Sequence, residues 1–561
     1  MTERIFIGVA WPYANGPLHL GHAASILPSD IFARFHRLKG NEVLMVSGSD
    51  QHGTPITLRA EQESKTPKEV AAYYHKSFMD SLGKLGISFD LFTSTETQNH
   101  QEVAQDIFLK LLGKGHIYKD AQCLPYCDIH KRFLPDRYVE GTCPNCGFEN
   151  SRGDQCDECG KPLNASDLKN IRCSLCGSTP RFIESEHYFL RLSAFNDKLL
   201  SRVEQQTHFR KNAQNFTLRL LKEGLKDRAI TRDIEWGIRV PVPEFENKSL
   251  YVWFEAVAGY LSASKEWAKS TGNAEKWREF WTGDCRSYYF VGKDNIPFHT
   301  IIWPAMLMGY GDLNLPFDVP SNEYLTLEGK QFSTSRNWAV WLPYYLGKYP
   351  PDPLRYLLSI NMPETSDADF SWREYVRRNN DELVATYGNL VHRVLTFTYR
   401  NYDGCVPEHR EYDDPSKSLL TESRKALDTV DDLLNHCQFR AAIREIMALA
   451  QKANQYLDES APWKRIKEDR VAVANILNVA IEVICCLKTV LYSFIPFSSQ
   501  KLHTMLGFDG KIEEGGWTIK PPAAGQKLSQ PEPLFAKLDQ DVVKEETENL
   551  LASQKERLGN S

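Results

Sequence analysis

The 561-residue sequence predicts a parallel α/β sheet, split by a cysteine-rich insertion and followed by a bundle of helices. Apolar runs alternate with helical patterns through the first hundred residues and again after residue 250, the rhythm of βαβ units. Eight of the thirteen cysteines fall between Cys123 and Cys176, in pairs with the spacing of metal knuckles. From residue 377 to 506 apolar side chains recur three and four apart, as at Leu383, Val384, Tyr387, Leu390, Val391 and Val394, which is the period of packed helices.

The run 5–10 is apolar throughout, as a strand covered on both faces must be. A turn, Trp11-Pro12-Tyr13-Ala14-Asn15-Gly16-Pro17-Leu18-His19-Leu20-Gly21-His22, leads into a helical pattern at 23–39 that Gly40 closes. Residues 41–49 read as a second strand ending in the loop Ser49-Asp50-Gln51-His52-Gly53-Thr54, and residues 67–85 as a helix. Residues of about 90–116 give a further loop and helix. The insertion of roughly 120 residues begins near residue 117 and closes with a helical region at 194–228. Apolar strand patterns resume at 250–254 and 288–292. Pro350, Pro351 and Pro353 mark a break before the bundle. After Gly507 the chain is rich in glycine and proline, and the charged segment 539–557 reads as a solvent-facing helix or disorder.

Composition is that of a globular protein, 42% hydrophobic and 25% charged. The net charge of −6 argues against non-specific RNA binding but not against a local groove for one RNA. No N-terminal segment has the form of a signal peptide and no apolar run reads as long enough to span a bilayer, so no membrane partner and a cytoplasmic location are expected. Clustered cysteine pairs then point to metal rather than disulfides. Cys143, Cys146, Cys156 and Cys159 form two C-x2-C turns nine residues apart, a tetrathiolate set suited to Zn²⁺. Four protein ligands leave no open position, so this ion is structural. Cys127, His130, Cys173 and Cys176 flank that set and offer either a second zinc site or an empty knuckle, with Cys123 a spare thiol. The other five cysteines read as core packing.

Two histidines and a glycine where a strand hands over to a helix sit where α/β sheets hold anionic ligands. Gly21 would let a flat ligand approach the backbone, and His19 and His22 can donate to phosphate oxygens. This His-Leu-Gly-His, with Pro12 to Pro17 before it, resembles the signature of the class I aminoacyl-tRNA synthetases of the methionyl type. The resemblance extends over about residues 4–520. It implies a Rossmann-type parallel-sheet catalytic domain with a zinc-knuckle insertion, followed by an α-helix-bundle anticodon-binding domain. The boundaries it implies are 1–116 and 238–321 for the two catalytic halves, 117–237 for the insertion and 322–376 for a mobile-loop and stem-contact region. Residues 377–520 form the anticodon domain and 521–561 a charged tail.

It also implies roles. Ala10, Trp11, Tyr13, Asp50, Trp253, Ala256, Tyr260 and His299 match methionine-binding positions, with Asp50 placed to hold the α-ammonium group. Val257 stands where the family usually has proline. Asn15, His19, Gly21, His22, Gly292, Asp294, Ser333, Thr334 and Ser335 match ATP-binding positions, and Asp294 can accept from a ribose hydroxyl. Asn389, Arg393 and Trp463 match positions that read the CAU anticodon, by edge hydrogen bonds and stacking. The implied partners are ATP with Mg²⁺, L-methionine and tRNA(Met); without an appended dimerisation module a monomer is expected. The departure lies in the phosphate loop, where the family's Lys-Met-Ser-Lys-Ser reads Gln331-Phe332-Ser333-Thr334-Ser335. Lys330 and Arg336 flank it and are expected to supply the missing positive charge as catalytic residues beside His19 and His22. Two other functions stay open on the sequence, a degenerate relative without activity and a zinc-ribbon RNA-binding protein. A third, another nucleotidyl-transferring member of the superfamily, has no need of the helical domain.

Overall fold

The structure, a computed structural model, describes residues 2–559 apart from 154, 155, 157, 160, 162, 164, 335 and 336. Its side chains are described through 555 apart from that of residue 136. Its centre is a five-stranded sheet in the order Ser321–Asn322, Arg286–Gly292, Arg4–Val9, Glu42–Ser49, Leu91–Ser94, parallel at every pairing. The first strand lies in the middle, and the chain winds away from it to opposite sides, first through Glu42–Ser49 and later through Arg286–Gly292. The crevice above its carboxyl end is therefore the topological switch point of the sheet, where such sheets place their ligands.

Alternation along the first strand divides two cores. Ile5, Ile7 and Val9 join a cluster that continues through the helix Leu20–Leu38 into the bundle, to Ile446 and Leu487. Phe6, with Leu44 and Val46, faces a second cluster shared with the insertion and the helix Val252–Ser270. Each such side chain contributes about 1.5–3 kcal/mol when buried, so the bundle and the sheet share one apolar core. A buried ion pair crosses the same junction: Arg355, wholly inaccessible, holds Asp30 at 2.7 Å and donates to the carbonyls of Ser493 and Phe494.

The insertion carries the antiparallel pair Ile117–Cys127 and Arg181–Leu190, with Arg132–Phe133 and Arg228–Ala229 on its edges. Three short strands, Val139–Thr142, Ser151–Arg152 and Lys169–Cys173, surround the knuckles. Their core is small and includes Cys127, Cys143, Cys156 and Cys173 themselves.

Three expectations change. The apolar run 250–254 is a strand only at Ser249–Leu250; from Val252 it is helix to Ser270. A run of five apolar residues is too short to show a period, so it fits either form. The helix Arg470–Leu491 is long and apolar enough to cross a membrane by length and composition, contrary to the expectation that no such run exists. Its most apolar window is 72% buried among the other helices, which accounts for that apolarity. The charged segment at the end forms the helix Asp541–Gly559, and it is not simply solvent-facing. Leu550 and Glu546 are buried, and Glu546 accepts from Tyr344 and Tyr349 and pairs with Lys348 at 2.6 Å.

Candidate active site

The turn after the first strand is zipped to the loop after the second. Ala14 N–H donates to Asp50 O at 2.8 Å and Asp50 N–H to Pro12 O at 2.9 Å, which sets Tyr13 beside Asp50. All eight residues expected at the amino-acid site, Ala10, Trp11, Tyr13, Asp50, Trp253, Ala256, Tyr260 and His299, line one cavity. Trp253, Ala256, Val257 and Tyr260 belong to the helix Val252–Ser270, and their spacing of three, four and seven puts them on one face. The correction from strand to helix is what brings them together. His299 and Phe298 sit in a π-helical turn, Phe298–Ile302, that widens the helix where it meets the cavity.

The walls are held from outside. The Trp11 indole slots between two glycines: a Cβ on Gly48 would stand 2.4 Å from its ring and one on Gly259 2.8 Å. Trp253 Nε1 donates to Tyr13 Oη at 2.7 Å and its ring meets Phe298 edge-on at 4.3 Å. His299 Nδ1–H donates to Asn295 O at 2.8 Å, leaving Nε2 to accept from Tyr260 Oη at 2.7 Å. Burial holds this imidazole neutral, with its pKa lowered to about 4. Asp50 is 3% exposed, and its carboxyl accepts the His52 N–H at 3.3 Å. Burial, then the nearby Glu255, push its pKa well above the ordinary carboxyl value, so its anion is favoured only with a cation placed against it. Val257, noted above for standing where the family usually has proline, also lines the cavity, as do Asn295 and Phe298, for which no role is expected from sequence.

On the other side of the turn His19 caps the helix Leu20–Leu38 in a reciprocal box. Its Nδ1 accepts from Gly21 N at 3.1 Å, and His22 Nδ1 accepts from His19 N at 3.1 Å. With Nδ1 accepting, each neutral ring keeps its proton on Nε2, the atom left to donate to a ligand. Burial lowers both pKa values, that of His22 to about 4 and that of His19 well below its ordinary value with His22 adding repulsion, so both rings are uncharged at neutral pH. Gly21 serves the ring as much as any ligand, since a Cβ there would meet His19 at 2.9 Å.

Phe332 of the loop stacks on His19, ring centres 4.8 Å apart and 9° from parallel. Thr334 lies against Gly16. Lys330 is exposed in the short strand Lys330–Gln331, its ammonium 4.6 Å above the Trp338 ring. Ser333 pairs through its backbone with Trp338. Ser335 and Arg336 lie outside the described residues. Across the crevice Gly292 ends its strand, and a Cβ there would find open space on all but one side. Asp294 accepts from Tyr324 Oη, and burial raises its pKa. A cation not expected from sequence stands next to it: Lys293 pairs with Glu323 at 3.0 Å and Asp367 at 3.1 Å and covers the Tyr324 ring at 3.7 Å. Asn15, within the turn, donates its N–H to Tyr13 O at 2.9 Å.

Two groups in the insertion could hold a metal. A tetrahedron with Zn–S bonds of about 2.3 Å has edges of about 3.8 Å. The sulfur pairs Cys143–Cys159 and Cys146–Cys156 stand 3.9 and 3.6 Å apart, and Cys127–Cys176 3.7 Å. His130 Nδ1 completes the second group, 3.3 Å from Cys127 and 3.7 Å from Cys173. These separations fit metal and are far too long for a disulfide. The left-handed backbone at Gly147, φ +80°, closes a knuckle turn, and Asn145 N–H points at Cys143 sulfur at 3.4 Å. Cys123 belongs to neither group.

In the bundle Asn389 and Arg393 line one cavity, and Arg393 and Trp463 an adjoining one. The Arg393 guanidinium lies 4.7 Å above the Trp463 ring and pairs with Asp458 at 2.9 Å. Trp463 is 40% exposed because Ala461, at φ +41°, turns the chain sharply before Pro462.

Residues 5–395 match the family of tRNA synthetases class I (M), and residues 406–555 the anticodon binding domain of methionyl tRNA ligase. The chain is 61% identical to a methionine–tRNA ligase of Dehalococcoides mccartyi over 98% of this chain and 99% of that one. It is 51% identical to one of Thermomicrobium roseum over 98% and 100%. It superposes with a TM-score of 0.80 on Mycobacterium tuberculosis methionyl-tRNA synthetase in complex with methionyl-adenylate, at 26% identity over 95% of this chain and 100% of that one.

Proposed function

The chain belongs to the methionine–tRNA ligases of class I, and from this premise we propose how its residues divide the work. It is a ligase that activates methionine with ATP and charges tRNA. The observation that carries the residue assignment is the meeting of four chain segments, after the first, second and fourth sheet strands and on the helix Val252–Ser270, in one cavity at the switch point.

Asp50 holds the α-ammonium group, and Trp11, Tyr13, Trp253, Ala256, Tyr260 and His299, with Ala10, enclose the thioether, which packs well against aromatic rings. The methionine carboxylate oxygen attacks the α-phosphorus of ATP, a P–O bond forms as pyrophosphate leaves, and methionyl-adenylate results. A ribose hydroxyl of the tRNA's terminal adenosine then attacks the carbonyl carbon, and AMP leaves. Neither step uses a protein nucleophile; catalysis is placement and charge. His19 and His22 donate Nε2–H to the phosphates, the backbone around Asn15 and Gly21 and the side chains of Ser333, Thr334 and Ser335 line the nucleotide, and Gly292 and Asp294 take the ribose. Lys330 and Arg336 supply the positive charge that Gln331 and Thr334 lack, and Mg²⁺ arrives on the nucleotide.

The groups Cys143/Cys146/Cys156/Cys159 and Cys127/His130/Cys173/Cys176 each hold a structural Zn²⁺, a reading supported by ligand atoms that lie within 4.8 Å of one another in both. Catalytic halves at 1–116 and 238–321, an insertion at 117–237, a loop and stem-contact region at 322–376, an anticodon domain at 377–520 and a tail at 521–561 remain our division of the chain. The enzyme works as a cytoplasmic monomer on tRNA(Met), for initiation and elongation. Asn389, Arg393 and Trp463 read the anticodon. Trp463→Ala should therefore abolish tRNA charging while leaving methionine-dependent ATP–pyrophosphate exchange within twofold; equal loss of both would refute the assignment.

A further inference from the structure

Below the amino-acid cavity runs a chain of buried ionisable groups that the reaction itself does not use. Glu255, wholly inaccessible on the helix Val252–Ser270, divides its carboxylate between two imidazoles. Its Oε1 lies 2.9 Å from His52 Nδ1 and its Oε2 2.6 Å from His100 Nε2. The far nitrogen of His52 reaches Glu96 at 3.0 Å, and that of His100 reaches Ser262 Oγ at 2.9 Å. Glu96 is the one member of the chain that reaches solvent, 31% exposed. Each histidine in turn touches the cavity wall. The His52 backbone N–H is the donor to Asp50, and the His100 ring lies 6.1 Å from that of Trp11, tilted by 34°. Trp236 closes His52 from the side, edge-on at 5.6 Å, and ties down the same loop by donating to Gln51 O at 2.7 Å.

We propose that Glu255 is a positioning residue for the amino-acid site: without touching substrate, it sets through His52 where the Asp50 carboxylate stands, and through His100 where the Trp11 indole stands. The proposal rests on the assignment of Asp50 and Trp11 to methionine binding made above. A carboxylate with no access to water keeps its charge only if each oxygen is met by a donor, and here each oxygen has one imidazole. His52, clamped between the carboxylates of Glu255 and Glu96, is held as the cation, which keeps its ring and its backbone in one place. Glu255 against His52 is balanced, which leaves the dry Asp50 carboxyl without a counter-ion for its anion. An α-ammonium group supplies the balance, so the network also favours the zwitterionic amino acid over an analogue that lacks the amine.

Pyrophosphate-exchange kinetics on the full chain test this with three variants. Glu255→Gln keeps size and shape but cannot accept from both imidazoles. It should raise the KM for methionine at least tenfold while leaving the KM for ATP within twofold and kcat within threefold. Glu96→Gln, at the exposed end where packing is undemanding, should raise the methionine KM about threefold with the same selectivity. Asp50→Ala should raise it about a hundredfold. If Asp50→Ala raises the methionine KM and both glutamate variants leave it within twofold, Glu255 is not a positioning residue. A parallel worsening of both KM values and kcat in Glu255→Gln would likewise mean plain structural support and overturn the proposal. An unchanged methionine KM in Asp50→Ala would instead remove the assignment on which it stands. Should Glu255→Gln fail to fold, Glu96→Gln decides by the same criteria.

Discussion

On the side of the cleft proposed for the amino acid, Asp50, Tyr260 and His299 are 1–3% exposed, Tyr260 and His299 are hydrogen-bonded to each other, and the walls are a helix face and a π-turn. On the side proposed for the phosphates the two histidines are half-buried and uncharged, and the loop cation Lys330 is exposed and rests on an indole. On the proposed reading the difference follows from what each half would recognise. A thioether has almost no directional chemistry, so selecting it takes a rigid shape and one charge fixed in place. A triphosphate brings its own charge and metal, and much of its stabilisation is needed only in the transition state, when a mobile loop can arrive.

The comparison can be broken at several points. The largest effect is expected at His22→Ala, which should cut the exchange rate constant about a hundredfold while leaving the KM for methionine within twofold. It also removes the acceptor for the His19 N–H, so a loss of about 1 kcal/mol in stability should accompany it. If exchange stayed near normal, the histidines would have no special share in binding the triphosphate. Lys330→Ala should lower exchange at least threefold, with the loss in kcat rather than in the KM for methionine. If neither it nor Arg336→Ala changes exchange by threefold, flanking cations do not replace the missing lysines.

The smallest effect is on stability against pH, where the histidines of the site divide between two limbs. His22 and His299 have folded pKa values of about 4, below the ordinary 6.5 of the unfolded chain. Their contribution is complete above pH 6.5 and is lost as pH falls toward 4. His52 is raised to about 10, so its contribution is complete below pH 6.5 and is lost as pH rises to 10. Thermal midpoints across this range should fall on both limbs, and His22→Asn should flatten the acid limb alone.

Much of this was legible in the chain because it is local. The strand at residue 4, the glycine-containing turn after it and the helix from Pro67 to Leu85 follow from period and capping, as Thr66 and Glu69 illustrate with a reciprocal box. The knuckle cysteines follow from spacing. The run 250–254 reads as strand because five apolar residues are too few to show a helical period; a window extended to Tyr260 contains the repeat of three and four at Trp253, Ala256, Val257 and Tyr260. Glu255 carried no signal, since a glutamate in a helix is more often a solvated one.

The sequence by itself determined the order of elements, the switch-point turn, the metal-ligand spacing and the residue types of the pocket, because each rests on neighbours a few positions apart. Only the tertiary structure decided which cysteines meet, that the apolar helix Arg470–Leu491 is a core rather than a span, and that the last helix is pinned by Glu546. It also decided that His19 and His22 are neutral while His52 is charged, although all three are histidines after strands. The reason is physical: a side chain's charge is set by burial and by partners through space, and His52 meets its partner Glu255 across 203 positions of chain.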